Sequence, residues 1–301
     1  MTIERVYILV FRSFQWFVLN IPKFIRKPIM NILSFIIYLF DKRHRNYALA
    51  NLDLAFGDSM DKKEKKAIAY STYKNMLYNI ADFIKNQGAS KEDIIKKVKF
   101  ENEDILFNIK QTKQPAIFIT AHYGNWELLS LALATQLENG LSIVGRPLDS
   151  KVMDKILKQN REQFNIRLIS KYGALRSLMR EIKKGRNIGL LVDQSVKQHE
   201  GIEIEFFGHK ATHITSAALL ARKFKLPIIP VFITTQDHNS YTLTFYPAIY
   251  TLETDDMNKD IRKSVEAQAK ITEDIIRKKP DEWFWQHRRW KEFYPEIYKK
   301  A

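Results

Sequence analysis

From Pro115 onward, short apolar segments rich in β-branched residues alternate with longer segments whose apolar residues recur at helical spacing. This alternation constrains the fold more than any other feature, because it is typical of a sheet with helices on its faces. The predicted strands are 116–120, 141–145, 187–192, 202–206, 227–233 and 241–247, and the predicted helices are 127–138, 151–164, 173–184, 213–225 and 258–278. The sequence therefore predicts an α/β fold with a mixed sheet flanked by helices.

One predicted strand-to-helix junction carries reactive side chains. Strand 116–120 is followed by His122, by the turn-forming residues Gly124 and Asn125, and by Glu127 at the start of the next helix. Side chains five residues apart on one ideal helix diverge by about 140°, so His122 and Glu127 meet only if His122 lies in the turn. A carboxylate bonded to imidazole fixes its tautomer and leaves the other nitrogen free to deprotonate a hydroxyl. We expect His122 to be a general base oriented by Glu127.

The spacing of this pair is weak evidence by itself. His287 and Glu292 have the same spacing, but no predicted strand and no glycine turn precede them. A histidine that simply satisfies its hydrogen bonds at a strand end is the alternative interpretation of His122. Arg146 and Asp193 also follow predicted strands, and ligands of open α/β sheets bind beyond the carboxyl ends of the strands. We therefore expect His122, Arg146 and Asp193 to share one cleft.

The order of five further segments gives the chain a family resemblance. From Arg43 to Lys291 it resembles the late acyltransferases of lipid A biosynthesis, the lauroyl and myristoyl enzymes, within the glycerolipid acyltransferase superfamily and its His-x4-acidic motif. Besides 122–127, the resemblance is carried by residues 45–56 (RNYALANLDLAF), 144–149 (VGRPLD), 189–194 (GLLVDQ), 206–212 (FFGHKAT) and 283–291 (WFWQHRRWK).

The resemblance implies roles at the matching positions. His122 would be the base and Glu127 its partner, while Arg146 would contact phosphate or sugar of the acceptor, as suits a guanidinium. Asp193 would line the same cleft, and Gly124 and Asn125 would join the substrate-binding residues. Relatives often carry proline before the Asp-Gln pair, where this chain has Val192. No role is therefore assigned to the glutamine at 194.

The reaction that the resemblance implies is transfer of a fatty acyl group from acyl carrier protein to a 3-hydroxyacyl hydroxyl of a lipid A precursor. It requires no cofactor and no metal ion. Two alternatives stay open. The chain could acylate another lipid or glycolipid from acyl-coenzyme A, or it could be a basic membrane-surface or nucleic-acid-binding protein without catalysis.

Composition narrows the classes of partner. The 301 residues contain no cysteine, which excludes disulfides, thiolate metal sites and a cysteine nucleophile. The net charge of +15 favours an anionic lipid surface or an acidic protein such as acyl carrier protein. Nucleic acid is disfavoured as a partner, because no nucleic-acid-binding module is recognisable.

The N-terminal region is apolar and basic. Residues 1–50 contain eight Lys or Arg against two acids, and the longest charge-free runs, 13–22 and 28–40, are shorter than the roughly 18–20 residues that cross a bilayer. We expect residues 1–40 to form a membrane-associated helical segment in the headgroup layer, with a tilted single span or a soluble helical cap as alternatives. Residues 41–110 would be a helical region and 111–301 the catalytic region. The expected location is the cytoplasmic face of the bacterial inner membrane.

The C-terminal segment Trp283–Lys291 combines tryptophan with arginine. Such a segment suits a membrane interface, where aromatic rings and cations meet lipid headgroups. The favoured alternative is that it packs its tryptophans on the core while its arginines form ion pairs.

Overall fold

A computed structural model describes residues 3–299, so residues 1, 2, 300 and 301, at the ends of the predicted regions 1–40 and 111–301, lie outside the described part. The helices are α1 (Ile3–Asn20), α2 (Lys23–Phe40), α3 (Lys42–Phe56), α4 (Lys62–Lys85), α5 (Lys91–Ile95), α6 (Glu103–Thr112), α7 (Trp126–Thr135), α8 (Lys151–Arg161), α9 (Ala174–Lys183), α10 (Ser216–Phe224) and α11 (Met257–Lys278). The strands are β1 (Val98–Glu101), β2 (Ile117–Thr120), β3 (Leu141–Gly145), β4 (Ile166–Ser170), β5 (Asn187–Leu191), β6 (Gly201–Phe206), β7 (His209–Ile214), β8 (Ile228–Thr235) and β9 (Tyr241–Phe245).

Seven strands form the main sheet in the order β1-β9-β8-β2-β5-β3-β4. Strands β8, β2, β5, β3 and β4 are parallel, whereas β9 is antiparallel to β8 and carries β1 parallel to itself. All four residues of β2 are buried, because helices cover both faces of the sheet. The prediction of a mixed α/β sheet flanked by helices is confirmed.

The predicted elements differ from the structure at a hairpin and at two strands of the main sheet. The predicted strand 202–206 is β6, but it pairs with β7 in a separate antiparallel hairpin. The predicted helix 213–225 begins only at Ser216, because residues 209–214 form the second strand of that hairpin. Strands β1 and β4 were also missed. Both lie at the edges of the main sheet, where a strand is covered less completely and its apolar pattern is weaker.

Local signals fixed several helix ends. The carboxylate of Asp61 accepts a hydrogen bond from the Glu64 amide and begins α4. Ser90 and Asp93 form a reciprocal capping box at the start of α5. These caps satisfy amide groups that the first helical turn leaves without a partner.

The two N-terminal helices expose much of their apolar surface. Only Met30 and Ser34 of α2 are buried, and α2 packs on α4. The exposed large apolar residues of these helices include Leu9, Val10, Trp16, Leu19, Phe24, Ile32, Phe35 and Phe40. Within residues 3–299, no helix combines the length and apolarity that crossing a bilayer would require.

Candidate active site

The turn between β2 and α7 is held against the C-terminal segment. The Gly124 amide donates to the Glu282 carbonyl (2.9 Å), and the Phe284 amide donates to the His122 carbonyl (2.9 Å). Tyr123 and Trp283 form an antiparallel bridge between these two hydrogen bonds. Residues 282–284 therefore pair with residues 122–124 as a short antiparallel strand does, and these hydrogen bonds fix the backbone that carries His122.

Gly124 and Asn125 shape this turn from within. Gly124 has φ +57°, and a Cβ added there would overlap the backbone carbonyl of Ile233 on β8, so only glycine fits. The Asn125 side chain is buried, accepts from the Leu128 amide (3.1 Å) and donates to Asp82 (3.3 Å). The predicted contact of Gly124 and Asn125 with substrate stays a prediction, whereas their hydrogen bonds and packing hold the turn in shape.

The His122 ring is bonded to Asp193, and this pair is the centre of the site. His122 Nδ1 lies 2.9 Å from Asp193 Oδ1, and the His122 amide donates to Asp193 Oδ2 (2.9 Å). An ionised carboxylate can only accept, so Nδ1 carries the proton and Nε2 is left as the acceptor. The His122 side chain is 19% exposed and that of Asp193 only 3%, so the ring faces the cleft and the carboxylate lies behind it.

Strand order brings these two residues together. Strands β2 and β5 are parallel neighbours with Thr120 paired to Leu191, so the residues two positions beyond each partner lie side by side. Trp283 completes the arrangement, because its indole N–H donates to Asp193 Oδ2 (2.8 Å). Burial alone would raise the pKa of Asp193, but the charge and hydrogen bonds of His122 and the Trp283 indole hold it well below its usual value. Asp193 is therefore a carboxylate at all physiological pH values.

The predicted hydrogen bond between His122 and Glu127 is wrong. Glu127 lies in the first turn of α7 and pairs with Arg161 at the end of α8, where Arg161 Nε donates to Glu127 Oε2 (2.9 Å) and Nη2 donates to Oε1. The indole of Trp126 packs against the imidazole instead, with ring centroids 5.2 Å apart. The physical reason is that both the backbone and the ring of His122 bond to Asp193, which turns the imidazole toward β5.

The side-chain amide of Gln194 contacts Nε2, the unprotonated nitrogen of the His122 ring. The Gln194 side-chain nitrogen is 3.3 Å from His122 Nε2, so the amide donates where a substrate hydroxyl would have to donate. No role for Gln194 was predicted from the sequence. Its position directly after Asp193, at the end of β5, was the one signal that could have suggested it.

Arg146 follows β3 at the same edge of the sheet. Its Nη2 pairs with Asp149 at 3.2 Å, and the two side chains are 62% and 94% exposed. A surface pair of this kind contributes little and is readily exchanged for another anion. Contact of Arg146 with an acceptor phosphate therefore stays a prediction, and the guanidinium is accessible for it.

An apolar cavity opens beside the turn, between α7 and the sheet. About 530 Å³ of space lies in and in front of it, including open solvent. Its walls include Leu129, Leu133, Ile143, Leu190 and Val231. Trp126 and the Glu127–Arg161 pair also line it. The cavity thus offers apolar walls and one ion pair next to the residues that flank His122.

The C-terminal tryptophans pack in the core. Trp283, Trp285, Trp290 and Arg289 are all at most 2% exposed. The Asn51 side chain ties this segment to α3 by donating to the Trp285 carbonyl (2.7 Å). Packing of the three tryptophans in the core is therefore confirmed, whereas Arg289 forms no ion pair within residues 3–299 and instead donates through Nη1 to the Thr212 carbonyl. The buried tryptophans explain how residues 282–284 can fix the His122 turn.

Other buried polar groups surround the pair without touching it. His287 Nε2 accepts from the Ser195 amide (3.1 Å), and burial lowers the pKa of His287 to about 4. His287 is therefore neutral at physiological pH and holds the loop that follows Asp193 and Gln194. Within residues 3–299, no group of three or more His, Cys, Asp or Glu is arranged to hold a metal ion.

Comparison with known proteins identifies the family. The model of the bacterial lipid A biosynthesis acyltransferase family matches residues 3–292. The chain is also similar to lipid A biosynthesis acyltransferase 2 of Shigella flexneri, with 22% identity over 283 residues that cover 90% of this chain and 88% of that protein. The predicted family is thereby confirmed: the chain belongs to the bacterial lipid A biosynthesis acyltransferases.

Proposed function

We propose that this acyltransferase moves a fatty acyl group from acyl carrier protein to a 3-hydroxyacyl hydroxyl of a lipid A precursor. The observation that carries the proposal is the His122–Asp193 pair, which leaves one basic nitrogen facing the cleft. The family supports acyl transfer in lipid A biosynthesis. The net charge of +15 supports a donor borne on an acidic protein.

The acceptor hydroxyl replaces Gln194 at His122 Nε2 and gives up its proton to that nitrogen. The alkoxide oxygen attacks the thioester carbonyl carbon, a C–O bond forms and the C–S bond breaks. The leaving thiolate takes the proton back from the imidazolium, which the Asp193 carboxylate stabilises in the meantime. Free amides at the start of α7, or Arg146, stabilise the oxyanion.

We propose that the apolar cavity binds the hydrocarbon chain of the acyl donor. Its leucine, isoleucine and valine walls would remove a hydrocarbon chain from water, at about 0.8 kcal/mol per buried CH₂. Because Trp126 lies both on the cavity wall and against the His122 ring, a chain inside would bring its thioester close to the imidazole.

The proposed location is the cytoplasmic face of the inner membrane, with α1 and α2 lying in the headgroup layer. The exposed apolar residues on both helices, together with Lys23 and Lys27, support this arrangement. Flotation with vesicles tests it. We expect the protein to bind vesicles that contain anionic phospholipid, and Phe24→Asp with Phe35→Asp to weaken binding. Unchanged binding of that variant would contradict the interfacial placement.

The activity is tested with purified protein, a lipid A precursor and matched acyl thioesters of acyl carrier protein and coenzyme A. We expect transfer from the carrier protein, and its loss in His122→Ala. His199→Ala is the matched control, since His199 is a largely exposed surface histidine. Transfer from coenzyme A alone would favour the alternative donor. Full activity of His122→Ala with either donor would contradict the catalytic role of the imidazole.

A test in cells complements the assay. Mass spectrometry of lipid A from cells lacking this protein should show the loss of one secondary acyl chain, restored by the wild-type gene and not by His122→Ala. An unchanged lipid A profile would count against the proposed acceptor.

A further inference from the structure

A groove between α9 and α10 is lined almost entirely by cations. Its lining consists of Arg176, Arg180, Lys183, Lys223 and Met179, around about 950 Å³ of space that is widely open to solvent. All four cationic side chains are exposed. The groove is therefore a solvent-facing surface of one charge sign, with a single flexible apolar side chain among the cations.

These cations lack the carboxylate partners that neighbouring cations have. Arg167, Lys184 and Arg186 all converge on Glu181, which is buried. Among the residues that the structure describes, no carboxylate forms a salt bridge with any of the four groove cations. Glu181 is also the single acid in the sequences of α9 and α10. Nothing within either helix neutralises the groove.

The spacing of the cations gives the groove a direction. Arg176, Arg180 and Lys183 stand at positions i, i+4 and i+7 of α9, which places them in one row about 10 Å long. Helix α9 begins just after the carboxyl end of β4, and β4 lies beside β3 in the parallel part of the sheet. Of the three cations, Arg176 is thus nearest the carboxyl ends of the parallel strands, where His122 lies.

We infer that this groove docks an acidic helix of the protein that delivers the acyl group. The inference rests on the proposed function, in which the donor is protein-borne. A row of carboxylates on a helix repeats at the same i, i+4, i+7 spacing and would neutralise the three cations of α9 together with Lys223. Exposed Tyr172 and Leu175, at the end of the groove nearest the cleft, would give the partner an apolar contact.

A protein partner fits this surface better than a bilayer does. A membrane-binding surface needs several exposed apolar side chains among its cations, and the chain carries such residues on α1 and α2. The lining of the groove holds one methionine among four cations, and Tyr172 and Leu175 lie outside it. Its charge would steer an acidic partner toward the cleft and make association sensitive to salt.

The test reverses the charge of the three cations on α9 with Arg176→Glu, Arg180→Glu and Lys183→Glu. The matched control reverses three exposed lysines at the start of α4, Lys62→Glu, Lys63→Glu and Lys66→Glu, and so changes the net charge by the same amount. Transfer is measured with acyl carrier protein and with a small acyl-pantetheine thioester as donors. Circular dichroism checks folding, and a Gln series at the same three α9 positions serves if the Glu series does not fold.

For the α9 variant we expect kcat/KM with the carrier protein to fall about tenfold or more, the scale of electrostatic steering. Its turnover of the pantetheine thioester and its vesicle binding should be unchanged, and its kcat/KM should lose most of its salt dependence. Carrier-protein kinetics equal to those of the α4 control would overturn the inference and leave the proposed function standing. Loss of vesicle binding instead would assign the groove to the membrane. Failure of the wild-type protein to use any carrier-protein donor would overturn the proposed function itself.

Discussion

Asp193→Asn is the sharpest test of the site, because the carboxylate accepts three N–H groups and asparagine offers only one oxygen. Asp193 Oδ1 faces His122 Nδ1, while Oδ2 accepts from the His122 amide and from Trp283 Nε1. If the new NH₂ group replaced Oδ2, it would face the His122 amide and the Trp283 indole, two N–H groups that can only donate. If it replaces Oδ1, the imidazole can respond by moving its proton to Nε2. We expect the second arrangement, which removes the basic nitrogen from the cleft.

The expected loss of activity follows from these contacts. A hydrogen bond to a charged group contributes about 1.5–3 kcal/mol, which corresponds to about 10- to 150-fold in rate. The wrong tautomer adds to this, since the equivalent change in a comparable His–Asp pair lowers turnover by about 10⁴-fold. We therefore expect kcat of Asp193→Asn to fall by about 10³- to 10⁴-fold, with little change in KM.

The assay is steady-state transfer from acyl carrier protein, with circular dichroism to show that the variant is folded. Asp149→Asn is the matched control, since Asp149 is a 94% exposed carboxylate near the same cleft, and it should keep wild-type turnover. A folded Asp193→Asn protein within about tenfold of wild-type kcat would refute the role given to this carboxylate.

The same variant has a signature in stability. The folded pKa of Asp193 lies below its ordinary value, so its ionised form stabilises the protein fully above about pH 4 and progressively less as pH falls toward the folded pKa. The difference in unfolding free energy between wild type and Asp193→Asn should therefore be constant near neutral pH and shrink below about pH 4. A difference that grows on acidification would contradict this sign.

Three further predictions concern the residues around the pair. Gly124→Ala forces a Cβ into a carbonyl of β8 and should lower the urea-unfolding free energy by about 3 kcal/mol or more, whereas Gly88→Ala, also at positive φ but with open space around it, should cost about 1 kcal/mol; equal costs would contradict the clash. Trp283→Phe removes one donor from the carboxylate and should lower kcat about 10- to 100-fold with KM unchanged; full kcat would show that this donor is dispensable. Glu127→Gln and Arg161→Gln should each destabilise the fold by about 1–3 kcal/mol, and the double variant by less than their sum, in a urea double-mutant cycle; additive costs would mean that the pair is not coupled.

Much of the site could be predicted from local pattern. The strand that ends at Thr120, the glycine turn and helix α7 follow directly from the apolar spacing and turn residues around His122. The positions of Asp193 and Arg146 after strands β5 and β3 could be predicted in the same way. The partner of His122 could not. Glu127 is near in sequence, but the first turn of α7 directs it toward Arg161 on α8.

The antiparallel hairpin and the C-terminal segment likewise had a local structure or composition that could be read from the sequence and contacts that could not. The sequence of β6 predicts a strand but does not say that its partner is β7 and not a strand of the main sheet. The tryptophans near residue 283 suited either a membrane interface or a core, and their burial against the His122 turn depended on contacts with distant parts of the chain.

The sequence by itself determined most of the strands and helices and placed an imidazole in a glycine-containing turn between a strand and a helix, because these properties depend on residues a few positions apart. Tertiary structure alone decided that the carboxylate behind that imidazole is Asp193, 71 residues away. The reason is the order of strands: placing β5 beside β2 brings the ends of both to one point, and strand order is settled by the packing of the whole sheet and not by any local pattern.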